Sequence, residues 1–72
     1  MRLPTKEKLE QLRKRYPEGT RVELVRMDDM HAPPSGTQGM VWGVDDAGSI
    51  LVDWDTGSSL SVVPGVDIVK RV

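Results

Sequence analysis

The chain contains no cysteine. Disulfides and thiolate metal sites are therefore closed to it, and its chemistry suits a reducing compartment. It has no apolar run near the roughly 20 residues needed to cross a bilayer. The single N-terminal Arg2 is not followed by the apolar stretch of a secretory leader, so a cytoplasmic protein with no membrane partner is expected. Aromatic residues are scarce: Tyr16, Trp42 and Trp54 are all there are. At most one Trp is then free as a stacking platform for bases. There is no glycine-rich phosphate loop, since Gly36 and Gly39 stand where they punctuate a sheet. At 72 residues the chain allows one domain. A domain of that size buries only about 60% of its unfolded surface, so the core is small.

What is present is unevenly placed. Residues 1–26 hold eight Lys or Arg and four Glu, and residues 27–72 hold two Lys or Arg and seven Asp. The basic head and acidic body point to two surfaces with different partners, or to a solvated helix that happens to be basic.

Thr5 is placed to cap a helix over Lys6 to Arg15, a stretch of strong helix formers without Gly or Pro. Leu9, Leu12 and Tyr16 make one narrow apolar stripe on it. Glu10 is helix-spaced to both Arg13 and Lys14 for ion pairing, and Arg13-Lys14-Arg15 suits the negative end of the helix dipole. Pro17 ends the helix. About ten residues are too few to hold a helix alone, so the stripe must dock. Thr20 to Met27 then alternates as a half-buried strand with Val22 and Leu24 on one face. Asp28 to Ser35 is a loop stiffened by Pro33 and Pro34. Gln38 to Val44 is a second strand, with Gly39, Val41 and Gly43 on one face and Met40, Trp42 and Val44 on the other. Its two glycines indicate a bulge or a close backbone approach. Asp45-Asp46-Ala47-Gly48 has hairpin chemistry. Ser49 to Asp55 is a third strand with Ile50, Val52 and Trp54 on one face, followed by a second turn at Asp55-Thr56-Gly57. Ser58 to Val63 reads as a fourth strand. Pro64-Gly65 breaks it, and Asp67 to Val72 is a fifth.

The expected architecture is mainly β: a small SH3-like five-stranded antiparallel barrel over residues 18–72, with one N-terminal α-helix in residues 1–17. Its core would comprise Val22, Leu24, Val41, Ile50, Val52, Trp54, Leu60, Val62 and Ile68. The helix would lie as a lid over an open end.

Several stretches carry a family likeness. They are Tyr16-Pro17-x-Gly19-Thr20-Arg21-Val22-Glu23-Leu24, Arg26-Met27-Asp28-Asp29, Ala32-Pro33-Pro34-x-Gly36-Thr37-x-Gly39, Gly43-Val44-Asp45-Asp46-x-Gly48 and Trp54-Asp55-x-Gly57-Ser58-Ser59-Leu60. In these, residues 16–72 resemble the small bacterial and phage family known as domain of unknown function 4314. That family has no established activity, and the resemblance implies a phage or mobile-element setting. A fainter likeness at Gly39–Val41, Val52–Ser58 and Gly65–Ile68 is to SH3-like barrels of the mind-bomb type, which implies peptide binding. The strand–Gly turn–strand part also looks like the KOW motif, which implies RNA or protein contact.

No set of residues specifies a reaction. Asp28, Asp29 and His31 lack a fourth ligand and standard metal-site spacing, and Asp-Asp before Pro usually makes local hydrogen bonds. Asp53 and Asp55 share a strand face about 7 Å apart, but a flanking turn leaves them too exposed for tuned acid–base work. Ser58, Ser59 and His31 do not make a triad. No cofactor or metal is expected, and the chain reads as a non-enzyme.

Met40 and Trp42 are the sharper candidates. If Val41 faces the core, they point away from it beside Leu51. They then form an apolar patch of the kind that marks a binding site, unless the helix covers them with Leu9 and Leu12. The Asp28–Pro34 loop stands where a specificity loop would, and with Tyr16 or Trp42 nearby it would frame a peptide groove. The expected role is a protein- or peptide-binding module using Asp28, Asp29, Pro33, Pro34, Met40 and Trp42, with a homodimer through the same patch as a further option. The alternative is a nucleic-acid-associated accessory protein using Arg2, Lys6, Lys8, Arg13, Lys14, Arg15 and Arg21. A pI of about 5.7 is low for that class.

Overall fold

In a computed structural model that describes residues 3–72, the chain forms helix α1 (Lys6–Arg15) and four strands. These are β1 (Arg21–Arg26), β2 (Gln38–Val44), β3 (Ile50–Trp54) and β4 (Ile68–Arg71). The strands make one antiparallel sheet in the order β3-β2-β1-β4. Because β3 and β4 lie at opposite edges and do not pair, the sheet is open. No barrel closes.

Helix α1 begins where expected: the Thr5 hydroxyl accepts from the Lys8 N–H at 3.2 Å. It ends as the Tyr16 N–H reaches the Leu12 carbonyl at 2.8 Å, one residue before Pro17. None of its residues is fully buried. Leu9, Leu12 and Tyr16 nevertheless pack on the core, so the stripe docks as a short amphipathic helix requires. Arg13 does not turn to Glu10. Its guanidinium donates at 3.1 Å to both the Val44 carbonyl and the Asp46 carboxylate, fastening the helix to the β2–β3 turn.

That turn is built from its own residues. The Asp45 carboxylate accepts from the Ala47 and Ser49 N–H groups. Gly48 takes a φ of +85°, which a side chain would strain, and a Cβ there would sit 3.1 Å from Pro4 Cγ. The glycine therefore serves both the turn and the seat of the chain entering α1.

The core consists of Val22, Leu24, Val41, Val44, Ile50, Val52, Trp54 and Val62. Val44 was expected on the outer face with Trp42. A bulge between Val41 and Gly43 shifts the β2–β3 register, and the extra residue reverses the alternation, turning Val44 inward. Gly39 marks the other anticipated device, a close approach. A Cβ on it would lie 2.7 Å from Val52 Cγ1 and 2.8 Å from the Asp53 carbonyl oxygen.

Three expectations fail at the C-terminal end. Ser58 to Val63 is not a strand. Its ends follow β3 in an antiparallel register: the Trp54 N–H donates to the Ser58 carbonyl at 3.0 Å, and Ile50 and Val62 exchange two bonds of 2.8 Å. That register sets Leu60 opposite Val52. The Leu60 carbonyl instead accepts from the Trp54 indole N–H at 2.9 Å. A side chain has taken the place of the middle ladder bond, and only the Ile50–Val62 bridge remains of the fifth strand.

Leu60 is accordingly half-buried rather than core. Ile68 is 51% exposed. The β1–β4 register shifts between Leu24 and Arg26, and Val69 packs on the core in its place. Among the described residues no helix is long and apolar enough to cross a membrane.

Candidate functional site

The outer sheet face, opposite the core and α1, carries the chemistry left over from folding. Strand alternation sends Met40 and Trp42 outward while Gly39 and Val41 face in. Met40 is 46% and Trp42 54% exposed. The helix does not cover them, because Leu9 and Leu12 are committed to the other side of the sheet.

Cross-strand neighbours complete the patch. Leu51 is half-buried opposite Gly43, and Asp53 is exposed opposite Met40. On the β1 side, Gly19 donates to the Val41 carbonyl, and a Cβ on Gly19 would meet nothing within 4 Å.

Beyond Met40 the same face is a charge ladder. Arg21, opposite Met40, forks onto Asp55 at 2.7 and 3.2 Å and reaches the Gln38 amide oxygen at 3.4 Å. The hydrogen bonds from Arg21 hold the Asp55 carboxyl below its ordinary pKa, and the same pair raises that of Arg21. Glu23 and Lys70, direct cross-strand partners, pair at 3.2 Å. Asp53 has no ion-pair partner among the described residues. Of the two carboxylates expected on one strand face, Asp55 is therefore the one engaged by Arg21.

The 27–37 loop closes the other end of the β1–β2 hairpin. It is folded back onto β1, with Gly36 N–H to the Leu24 carbonyl at 2.7 Å, Leu24 N–H to the Thr37 carbonyl at 2.8 Å and Ser35 hydroxyl to the Val25 carbonyl at 2.9 Å. Asp28, Asp29 and Pro34 are exposed, but Pro33 is buried and serves packing. The Asp29 carboxylate accepts from the His31 backbone N–H at 2.8 Å, which is the local turn bond anticipated for Asp-Asp before Pro. No group of three or more acidic or histidine side chains among the described residues is arranged to hold a metal ion.

Gln38, where β2 leaves the loop, and Trp42 are four residues apart, roughly 13 Å along a strand. The loop and Trp42 thus lie apart along β2. The loop instead borders a shallow groove of about 320 Å³ with Met27, Leu60, Val63 and Val66.

Two further features had no clear signal in the sequence. A groove of about 600 Å³ lies between the start of α1, the β2–β3 turn and Val63-Pro64, with mainly apolar walls. A smaller one runs beside it to Tyr16 and Val69. Both are bordered by the docked helix and by Pro64.

The basic head is partly spent on the fold. Arg13 is held by Val44 and Asp46. The Arg15 guanidinium lies 5.8 Å from the centre of the Tyr16 ring, and its carbonyl accepts from Arg71. Arg2 lies outside the described residues.

No curated protein matches this chain. The family described as Domain of unknown function (DUF4314) matches it over residues 5–72, nearly its whole length, and the chain belongs to that family.

Proposed function

We propose that this member of the DUF4314 family is a non-enzymatic interaction module. It binds a protein or peptide partner in the cytoplasm, as an accessory protein of a phage or mobile element. The observation that carries the reading is the joint exposure of Met40 and Trp42 beside Leu51 on a sheet face that α1 leaves bare. Apolar side chains of that size favour burial by about 1.5–3 kcal/mol each, and exposed clusters of them tend to mark contact surfaces. Trp is also prominent among residues that dominate binding energy. The phage setting rests on the resemblance of residues 16–72 alone. A partner that also touched Asp28, Asp29 or Pro34 would run along β2 to do so.

The test is affinity capture from the native host with wild-type and Trp42→Ala protein, followed by calorimetric titration of the purified partner with both. The expected result is a partner whose affinity falls at least tenfold in the variant, which keeps its circular dichroism spectrum. An unchanged affinity removes this face from the function. Binding to DNA or RNA whose log K falls steeply with log salt would replace the reading with a nucleic-acid role.

A further inference from the structure

The patch on the outer face is not purely apolar, and a carboxylate on it with no ion-pair partner among the described residues says what kind of group fits it. Asp53 lies directly across from Met40, with Trp42 on the same face two residues further along β2. Trp42 is the extra residue of the bulge, between the Val41–Val52 and Gly43–Leu51 pairs, and one long side chain laid along this face can reach both it and Asp53. Arg21, in the same cross-strand row, is turned to Asp55 and Gln38, and Lys70 is turned to Glu23. The cation–π contact found among the described residues is Arg15 on Tyr16, so none of their cations sits on Trp42. A wholly apolar partner seated here would strip water from the Asp53 carboxylate without replacing it, which is costly. A cationic side chain would replace that water, and its carbon stem would cover Met40 and Leu51. An indole face attracts a cation within about 6 Å of its centroid.

Building on the partner-binding reading, we infer that the Trp42–Met40–Asp53 corner receives a lysine or arginine side chain from a protein partner. The cation lies against the Trp42 ring and pairs with Asp53, and the stem lies along Met40 and Leu51.

The experiment uses the full chain, ¹⁵N-labelled. It is titrated with blocked tripeptides Gly-Lys-Gly, Gly-Arg-Gly, Gly-norleucine-Gly and Gly-Glu-Gly, and with an eight-residue oligothymidine. Trp54, buried with its indole on Leu60, is an internal reference for Trp42. The lysine and arginine peptides should shift the Trp42 indole and Asp53 amide signals and leave the Trp54 indole unmoved. Asp53→Asn should weaken them roughly two- to fivefold, as should raised salt.

The inference is overturned if the norleucine peptide binds as well as the lysine peptide, if Asp53→Asn changes nothing, if no peptide shifts Trp42, or if the oligothymidine alone moves it. Equal binding of norleucine would leave the partner-binding reading in place as an apolar contact. Unchanged partner affinity in Trp42→Ala would remove both.

Discussion

The hydrogen bond from the Trp54 indole to Leu60 holds the segment that replaces the fifth strand, and Trp54→Phe tests that role. The side chain is 3% exposed and its Nε1 lies 2.9 Å from the Leu60 oxygen. The substitution deletes the bond, a net loss of about 0.5–1.5 kcal/mol. It also leaves a void of about 40 Å³, adding about 1 kcal/mol at roughly 24 cal/mol per Å³. The sum, about 1.5–2.5 kcal/mol, is large against the roughly 4–11 kcal/mol typical of a chain this size. Urea unfolding followed by circular dichroism should show a lower midpoint with an unchanged slope. Hydrogen exchange should quicken at Leu60 and Ser61 more than at Ile50 and Val62, which exchange their own backbone bonds. Trp42→Phe is the control: on the exposed face it should cost less than about 0.5 kcal/mol. If the two variants lose equally little, the indole does not hold this segment and the account of the missing strand is wrong.

Two other perturbations read different parts of the sheet. Gly39→Ala should cost about 1–3 kcal/mol by overpacking, since the added carbon meets the Asp53 carbonyl oxygen as well as Val52, and a backbone atom cannot swing aside. Gly43→Ala, whose Cβ would come no nearer than 3.8 Å to Leu51, should cost clearly less in the same urea assay. The Arg21–Asp55 pair has a definite pH signature. The folded pKa of Asp55 is depressed, so its contribution is fully present above the ordinary carboxylate range near 4. That contribution is lost as pH falls through the depressed value. The stability difference between wild type and Asp55→Asn should hold from neutrality to about pH 5 and shrink below about pH 4, and less of it should survive in high salt because the pair is exposed. A difference that grew on acidification would contradict the pairing.

The helix was legible because its signals are local: the Thr5 cap, the Leu9–Leu12–Tyr16 stripe and Pro17 all act within a turn or two. The first three strands and their hairpin turns were legible for the same reason, since period-two alternation and Asp–Gly chemistry need no distant partner. Legibility ended where one residue of register mattered. Gly43 signalled an irregularity in β2, but which side of it would be inward was set by pairing with β3, and Val44 was placed on the wrong face. Ile68 gave way to Val69 through a similar shift against β1. Of the site, Met40 and Trp42 were readable from alternation beside Val41. The solitary state of Asp53 was not, because it depends on Arg21 choosing Asp55 from across the sheet.

By itself, then, the sequence determined an N-terminal helix that must dock, a small antiparallel β domain, and a Met–Trp pair on the face away from Val41. These follow from residue periodicity and turn chemistry. The tertiary structure alone decided that the sheet stays open, that the helix leaves Trp42 bare, and that Pro33 packs while Pro34 is presented. It also decided that Asp53 has no ion-pair partner among the described residues. Each of these turns on how side chains pack and pair once the sheet has formed. Trp54 reaching the Leu60 carbonyl, six residues on, where a strand amide was expected depends on how the buried indole packs against the returning chain, which residue periodicity does not encode.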